Sequence, residues 1–404
     1  MIKAQNFFLN TSLYAFPSLV TLIIITFSIK AFSPDDFAIL GVLITLSAIA
    51  VLLTDFGYNY FGTRNLALKK ADNNYCESYI ISSAIERILI ALLLSPMLYL
   101  FLINSPFSDD AFALTWISLL QPIGLAIMPV WAYQGIEKIK LMSAVNIVLR
   151  IIIIGIFYLF IEKLNIYQAC ILFSSQWIIS GFIFHILNRS CMKMSFIFHI
   201  KNFSSSFLDR FHAAKYLYMT NVCIFLYTFL SILIISSILK SDEFNMVFTL
   251  DKYLKTILGF LAPLLATLMP GISRNHSSSK SHAIKELYNI LFYVIKFGIL
   301  IIVPFNIFYY SVFNAWEFGL IPFAFTLIFL PTCLNSIFGM LGLVGSGNNI
   351  ELFKAIMPVS VLNLVLIYPA VTYFGLIGGI AMMLFSECLV SIRIIIRIKK
   401  LRNE

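Results

Sequence analysis

SYIISSAIERILIALLLSPMLYLFLI, residues 78–103, is the stretch that decides the fold. Wound as an α-helix it would extend about 39 Å, enough to cross a hydrocarbon core about 30 Å thick. Only Glu86 and Arg87 interrupt its apolar character, and they do so toward the middle, where a bilayer tolerates charge least. Comparable stretches are read at 7–32, 37–61, 113–136, 142–162, 166–187, 214–239, 243–272, 284–313, 319–346, 354–374 and 376–396. With 404 residues, 60% hydrophobic and 12% charged, such spans and their turns occupy the chain and leave no room for a catalytic head. The expected fold is an all-α integral membrane protein of about 12 transmembrane helices, in two pseudo-symmetric six-helix bundles around a central cavity. The first stretch is too long for a signal-peptide core and is expected to persist as an uncleaved helix.

A net charge of +9 could suggest nucleic acid. Its distribution points to topology instead, and no nucleic-acid partner is expected. Of the 28 lysines and arginines, three (Lys30, Lys163, Lys240) fall in turns on one side of the expected membrane and five lie inside spans. The remaining 28 − 3 − 5 = 20 lie on the other side, which the positive-inside rule makes cytoplasmic together with both termini. The six cysteines have no paired spacing, and the five histidines lack the carboxylate-flanked i, i+4 pattern of a zinc hydrolase. No metal, disulfide framework or cofactor is expected.

The longest polar interval, 188–213, is the natural seam between a bundle at 1–187 and a second at 214–404 with a basic tail. Phenylalanines and isoleucines recur among its charges at about helical spacing, as in an amphipathic connector on the membrane surface, with a loose linker as the alternative. The halves carry a weak repeat at offsets from 207 to 212 residues. Ser33-Pro34-Asp35-Asp36-Phe37 parallels Lys240-Ser241-Asp242-Glu243-Phe244; Glu77, Tyr79 and Arg87 parallel Glu286, Tyr288 and Lys296. Gln134-Gly135-Ile136-Glu137 parallels Ser346-Gly347-Asn348-Asn349, and the run Asn165 to Gln176 parallels Leu376 to Glu387. Six spans separate the equivalents, so the repeat is a parallel one, and such folds hold substrate between their halves.

Helix rise puts Arg87, Arg150, Lys296, Lys252 and Lys255 near mid-depth, together with the acids Glu86, Asp251 and Glu387. Facing lipid, each would cost about 2.5–3.5 kcal/mol, so each is expected to face the bundle interior, a wet cavity or a counter-charge. Two readings remain open: the acids neutralise the cations in structural pairs, as Asp251 and Lys255 at i, i+4 could; or the cationic surplus lines a cavity for phosphates or acidic sugars. Tyrosines and tryptophans among the 39 Phe, 19 Tyr and 4 Trp would suit sugar faces, and prolines within spans would allow flexure.

Three segments carry a resemblance: Ser-Pro-Asp-Asp-Phe at 33–37, Thr-Asp-Phe-Gly-Tyr-Asn at 54–59 with Gly-Thr-Arg-Asn-Leu-Ala at 62–67, and Pro-Val-Trp-Ala-Tyr-Gln-Gly-Ile-Glu-Lys at 129–138. They resemble signatures of the polysaccharide flippases of the multidrug/oligosaccharidyl-lipid/polysaccharide exporter superfamily, most closely the Wzx-type O-antigen repeat-unit flippases. The resemblance implies movement of undecaprenyl-diphosphate-linked oligosaccharide from the cytoplasmic to the periplasmic face of a bacterial inner membrane. It further implies alternating access, ion-gradient coupling, and partnership with the lipid bilayer and with the polymerase and chain-length machinery of polysaccharide assembly. Carried onto this chain, it sets Asp55, Asn59 and Arg64 beside Gln134, Glu137 and Lys138 as a charged cytoplasmic gate. Helix-end charge and topology anchoring would explain Asp55 and Arg64 equally.

Two alternatives share much of this pattern. A cation-coupled multidrug antiporter of the same superfamily would want an acid deep in the first span, and residues 7–32 hold none. An O-antigen polymerase or ligase would want a large periplasmic loop with catalytic bases. The longest outside turn, about 104–111, offers Asp109 and Asp110 only, so no enzymatic activity is expected.

Overall fold

The computed structural model describes residues 2–55, 58, 62, 63, 66, 72–136, 139–187, 215–265, 268, 272, 280–313 and 319–403. The expected connector at 188–213 lies outside them. Among the described residues the chain is helical, with no strand. Its helices are α1 (Ile2–Ala31), α2 (Pro34–Asp55), α3 (Asn73–Ile103), α4 (Ala111–Ile127), α5 (Val130–Gly135), α6 (Lys140–Phe160) and α7 (Ile166–Leu187). They continue with α8 (Lys215–Ile238), α9 (Ser241–Gly259), α10 (Lys280–Phe313), α11 (Ile321–Val344) and α12 (Asn349–Asn403).

Ten helical stretches among the described residues are long and apolar enough to cross a membrane, by length and composition. Two details connect them with the twelve spans expected. The stretch within α12 is two helices joined at Gly375, whose φ of 56° and ψ of −136° break the helical path. The eighth span, α9, is not among the ten because Asp242, Glu243, Asp251, Lys252 and Lys255 lower its hydropathy. Charge that disqualifies α9 as lipid-facing is what makes it interesting as an interior helix.

Local chemistry sets the helix starts. Ser33 caps α2: its hydroxyl accepts the Asp36 amide at 3.2 Å and donates to the Asp36 carboxylate at 2.7 Å, with Pro34 as the first helical residue. In the second half Asp242 and Glu243 likewise fill the first turn of α9, and Phe37 and Phe244 are both buried behind these turns. Asn165 and Gln168 cap α7 reciprocally, through bonds of 3.1 and 2.9 Å. Asp72 accepts from the Tyr75 amide at the head of α3. Within the spans, Thr45, Thr54, Thr115, Thr249 and Thr256 return their hydroxyls to carbonyls four residues back, which satisfies them without water.

The chain forms two compact units, residues 23–222 and residues 1–22 with 223–404. In the first, α2 is buried along its length among α3, α4 and α7. Glycine allows α4 and α7 to cross closely: a Cβ on Gly124 would stand 2.4 Å from the Trp177 carbonyl carbon, and one on Gly181 would meet Ile127 at 2.9 Å. In the second unit, Thr256 of α9 donates to the Ser18 carbonyl of α1 at 3.3 Å. Asn363 binds Ser231 of α8 at 2.8 Å and Ser386 at 2.7 Å, tying both limbs of α12 to α8.

Candidate functional site

A cavity of about 270 Å³ lies within the second unit, among α8, α9, α11 and α12. Most of its wall is aliphatic or aromatic, and its polar residues include Asp251 and Lys255 from α9, Asn335 from α11 and Glu387 from α12. Asp251 and Lys255 share a helix face and pair at 2.9 Å, while Lys252 approaches the same carboxylate oxygen at 3.6 Å. The Lys255 ammonium also lies 4.3 Å from the centroid of the Phe229 ring. It is about a third exposed, whereas the Asp251 side chain is 4% exposed. Across the cavity the Asn335 amide donates to the Glu387 carboxylate at 2.6 Å and to the Glu387 carbonyl at 3.1 Å. Thr332 and Tyr227 stand beside the Glu387 carboxylate, and Lys255 acts on it through space. The structure therefore brings together three expected site residues, Asp251, Lys255 and Glu387.

In the first unit, Arg87 is buried in a mixed aromatic and charged cluster. Its Nη1 donates to the Leu125 carbonyl at 3.2 Å, and Asp55 and Tyr58 act on it electrostatically. The Tyr58 hydroxyl donates to Glu86. Tyr58 stacks on Trp131 with centroids 5.0 Å apart, and Tyr79 stands edge-on to both. Tyr58 thus stands between the two charges, bonded to Glu86 and acting on Arg87.

Arg150 occupies a neutral cage. Nε donates to Asn146 at 2.6 Å and Nη1 to Gln176 at 3.0 Å, with the guanidinium 4.1 Å over the Trp177 ring. Gln176 is the repeat partner of Glu387. At that position α7 carries an amide bound to an arginine, whereas α12 carries a carboxylate bound by an amide beside a lysine. Lys296, the repeat partner of Arg87, is exposed on α10 between exposed Phe292 and Phe297. Equivalent positions in the two halves therefore have unlike surroundings.

Of the expected gate residues, Asn59, Arg64, Glu137 and Lys138 lie outside the described residues. Asp55 is buried at the end of α2, and Gln134 belongs to α5. The two signature segments do meet, through Gly62, Thr63, Trp131 and Gly135. A Cβ on Gly62 would lie 2.6 Å from the Trp131 ring, and one on Gly135 would lie 2.7 Å from the Thr63 carbonyl oxygen. Thr63 donates its hydroxyl to the Trp131 carbonyl at 3.0 Å. The signal in the sequence was there: a glycine in each quoted motif and a tryptophan in the second. Asn335, Thr332 and Tyr227 were also missed, because uncharged residues within spans do not stand out by cost.

Membrane-length helices around a lined polar interior define a multi-pass helical membrane protein. Residues 4–276 match the family described as polysaccharide biosynthesis protein, and the chain belongs to that family. It is similar to a protein of Escherichia coli (strain K12) described as a candidate O-antigen transporter, 24% identical over 389 residues, covering 92% of this chain and 91% of that one. A Shigella dysenteriae protein of the same description is 22% identical over 398 residues, covering 95% and 96%. Among solved structures it is similar to the eukaryotic MATE transporter AtDTX14, with TM-score 0.69, 12% identity and coverage of 99% and 98%. It is also similar to the lipid II flippase MurJ in an inward closed conformation, with TM-score 0.65, 16% identity and coverage of 97% and 87%. At these identities the structural likeness concerns the fold.

Proposed function

We propose that this chain is a flippase that moves undecaprenyl-diphosphate-linked O-antigen repeat units from the cytoplasmic to the periplasmic leaflet of a bacterial inner membrane. It works by alternating access, coupled to an ion gradient, with both termini cytoplasmic. The observation that carries the reading is the cavity holding Asp251, Lys255 and Glu387 inside a membrane-spanning unit: a scaffold protein gains nothing from ionisable groups there, and a transporter needs them. The family description and the relatives described as O-antigen transporters support the choice of cargo. Flipping breaks no bond, so the protein has only to lower the cost of carrying a diphosphate and its sugars through hydrocarbon.

Roles follow from accessibility. Lys296, exposed on α10, is the one of the expected cavity cations placed to meet a cargo phosphate among the described residues, as a point charge on a flexible stem. Arg87 and Arg150 are buried against partners of their own and hold helices together. Glu387 is the coupling acid, since its repeat partner Gln176 cannot ionise. The polymerase and chain-length machinery would receive the translocated unit.

A deletion strain assayed for lipid-linked repeat units tests the reading. Units accumulating on the cytoplasmic leaflet are expected, with recovery on re-expression. Units that reach the periplasmic leaflet but stay unpolymerised would overturn it in favour of a polymerase.

A further inference from the structure

We propose that Lys255 is a built-in cation that closes the cavity to alkali-metal ions and leaves a proton as the one cation Glu387 takes up. The inference rests on the reading of this cavity as the coupling site and names its ion.

Two carboxylates in a poorly hydrated pocket are, by themselves, a site for a hard cation, which would gather oxygen ligands around it. The arrangement here frustrates such a site in two ways. First, Asp251 is already occupied: the Lys255 ammonium sits 2.9 Å from its Oδ2 and the Lys252 ammonium 3.6 Å from the same atom. With all four side chains ionised, two lysines balance Asp251 and Glu387, and no net negative charge remains to draw in a metal ion. Second, the group beside Glu387 offers a donor where a metal would need an oxygen. Asn335 is turned so that Nδ2 faces both the carboxylate and the carbonyl of Glu387, two acceptors, which fixes the amide orientation. Its Oδ1 points instead to the Ser391 hydroxyl, at 2.8 Å.

The groups facing Glu387 are Tyr227 from α8, Asp251 and Lys255 from α9, Thr332 and Asn335 from α11, and Cys388 and Ser391 on its own helix. A proton suits this setting because it forms one O–H bond and asks for no coordination shell. When Glu387 is protonated, the Lys255 ammonium is left with Asp251 as its carboxylate partner. When Glu387 is ionised, its charge acts on the same ammonium through space. Lys255 is therefore a specificity-determining residue: it performs the electrostatic task a bound sodium ion would perform, while remaining tethered to the chain.

Binding of radioactive sodium to the purified full-length protein in detergent tests this directly. The wild type is expected to show no saturable binding at millimolar sodium. Lys255→Gln removes the ammonium and adds an oxygen, and should gain saturable sodium binding at least tenfold above wild type, lost again in K255Q/E387Q. Sodium binding by the wild type that disappears in E387Q would overturn the proposal, as would a monodisperse K255Q with none. Should K255Q not fold, a second measurement decides: an acid step in weak buffer should show one proton fewer taken up by E387Q than by the wild type, and equal uptake would overturn the assignment. A failure of the flippase reading, seen as normal translocation in the deletion strain, leaves these binding results standing. Sodium binding to the wild type removes the ion assignment alone.

Discussion

Gly62 lies flat against the indole of Trp131, so close that a Cβ would stand 2.6 Å from Cζ3 and 2.7 Å from Cε3. Trp131 cannot easily retreat, because it is buried and stacked on Tyr58. This contact joins the chain just after α2 to the short helix α5, the two segments that carry most of the family resemblance. Gly62→Ala is expected to overpack it and cost about 1–3 kcal/mol. A fall in melting temperature of the purified protein measures this, and W131L in the same chain should recover part of the loss. An unchanged melting temperature in G62A would mean that the joint is loose.

The Arg150 cage depends on a planar fork reaching two amides at once. Arg150→Lys keeps the charge but cannot serve Asn146 and Gln176 together, so stability should fall by about 1–3 kcal/mol as those amides lose their partner. Gln176→Glu would supply a carboxylate at the same place and should leave melting at or above the wild-type temperature, while Q176L lowers it. Thermal unfolding of the three variants in one detergent gives the comparison.

Arg87 and Lys296 occupy matching places in the repeat and should respond differently. Lys296→Ala is expected to leave protein abundance unchanged and abolish surface polysaccharide, with K296R retaining a substantial share. Arg87→Ala should instead reduce protein abundance, since it strips the cluster of Asp55, Tyr58 and the Leu125 carbonyl of its cation. Immunoblots beside polysaccharide gels separate the two effects. A K296A strain with normal polysaccharide would remove Lys296 from the transport path.

Glu387→Gln preserves shape and removes the ionisable group. Folding should survive, because Asn335 still finds an oxygen at that position, while translocation driven by an imposed ion gradient in vesicles should fall at least tenfold. Full gradient-driven activity in E387Q would show that coupling resides elsewhere.

Gly375 has φ 56° and ψ −136° with nothing within 4 Å of where a Cβ would sit. Substitution there tests backbone strain alone. Gly375→Ala should cost about 1–3 kcal/mol. Gly155, within α6 and equally uncrowded, is the control: G155A should be neutral or raise stability by about 0.5–1 kcal/mol. Equal melting shifts for the two would argue against a strained turn at 375.

Sequence alone established an all-helical chain of membrane-length stretches, because a backbone in hydrocarbon must satisfy its hydrogen bonds within each segment and the length needed is fixed by bilayer thickness. It also set an expected depth for the charges within the spans, through the constant rise of a helix. It could not say which charges met. Asp251 and Lys255 were legible as a pair because they lie on one helix, four residues apart. Arg150, by contrast, has an amide, Asn146, four residues before it on its own helix, and only the packing of α6 against α7 supplies the second, Gln176. Arg87 and Lys296 look alike as letters at matching repeat positions, yet one is buried and the other exposed. The reason is that depth depends on a residue's place along its own helix, whereas company depends on how that helix is rotated against its neighbours. That rotation is set by small contacts such as Gly62 on Trp131 and Gly124 on Trp177, whose partners lie far apart in the chain.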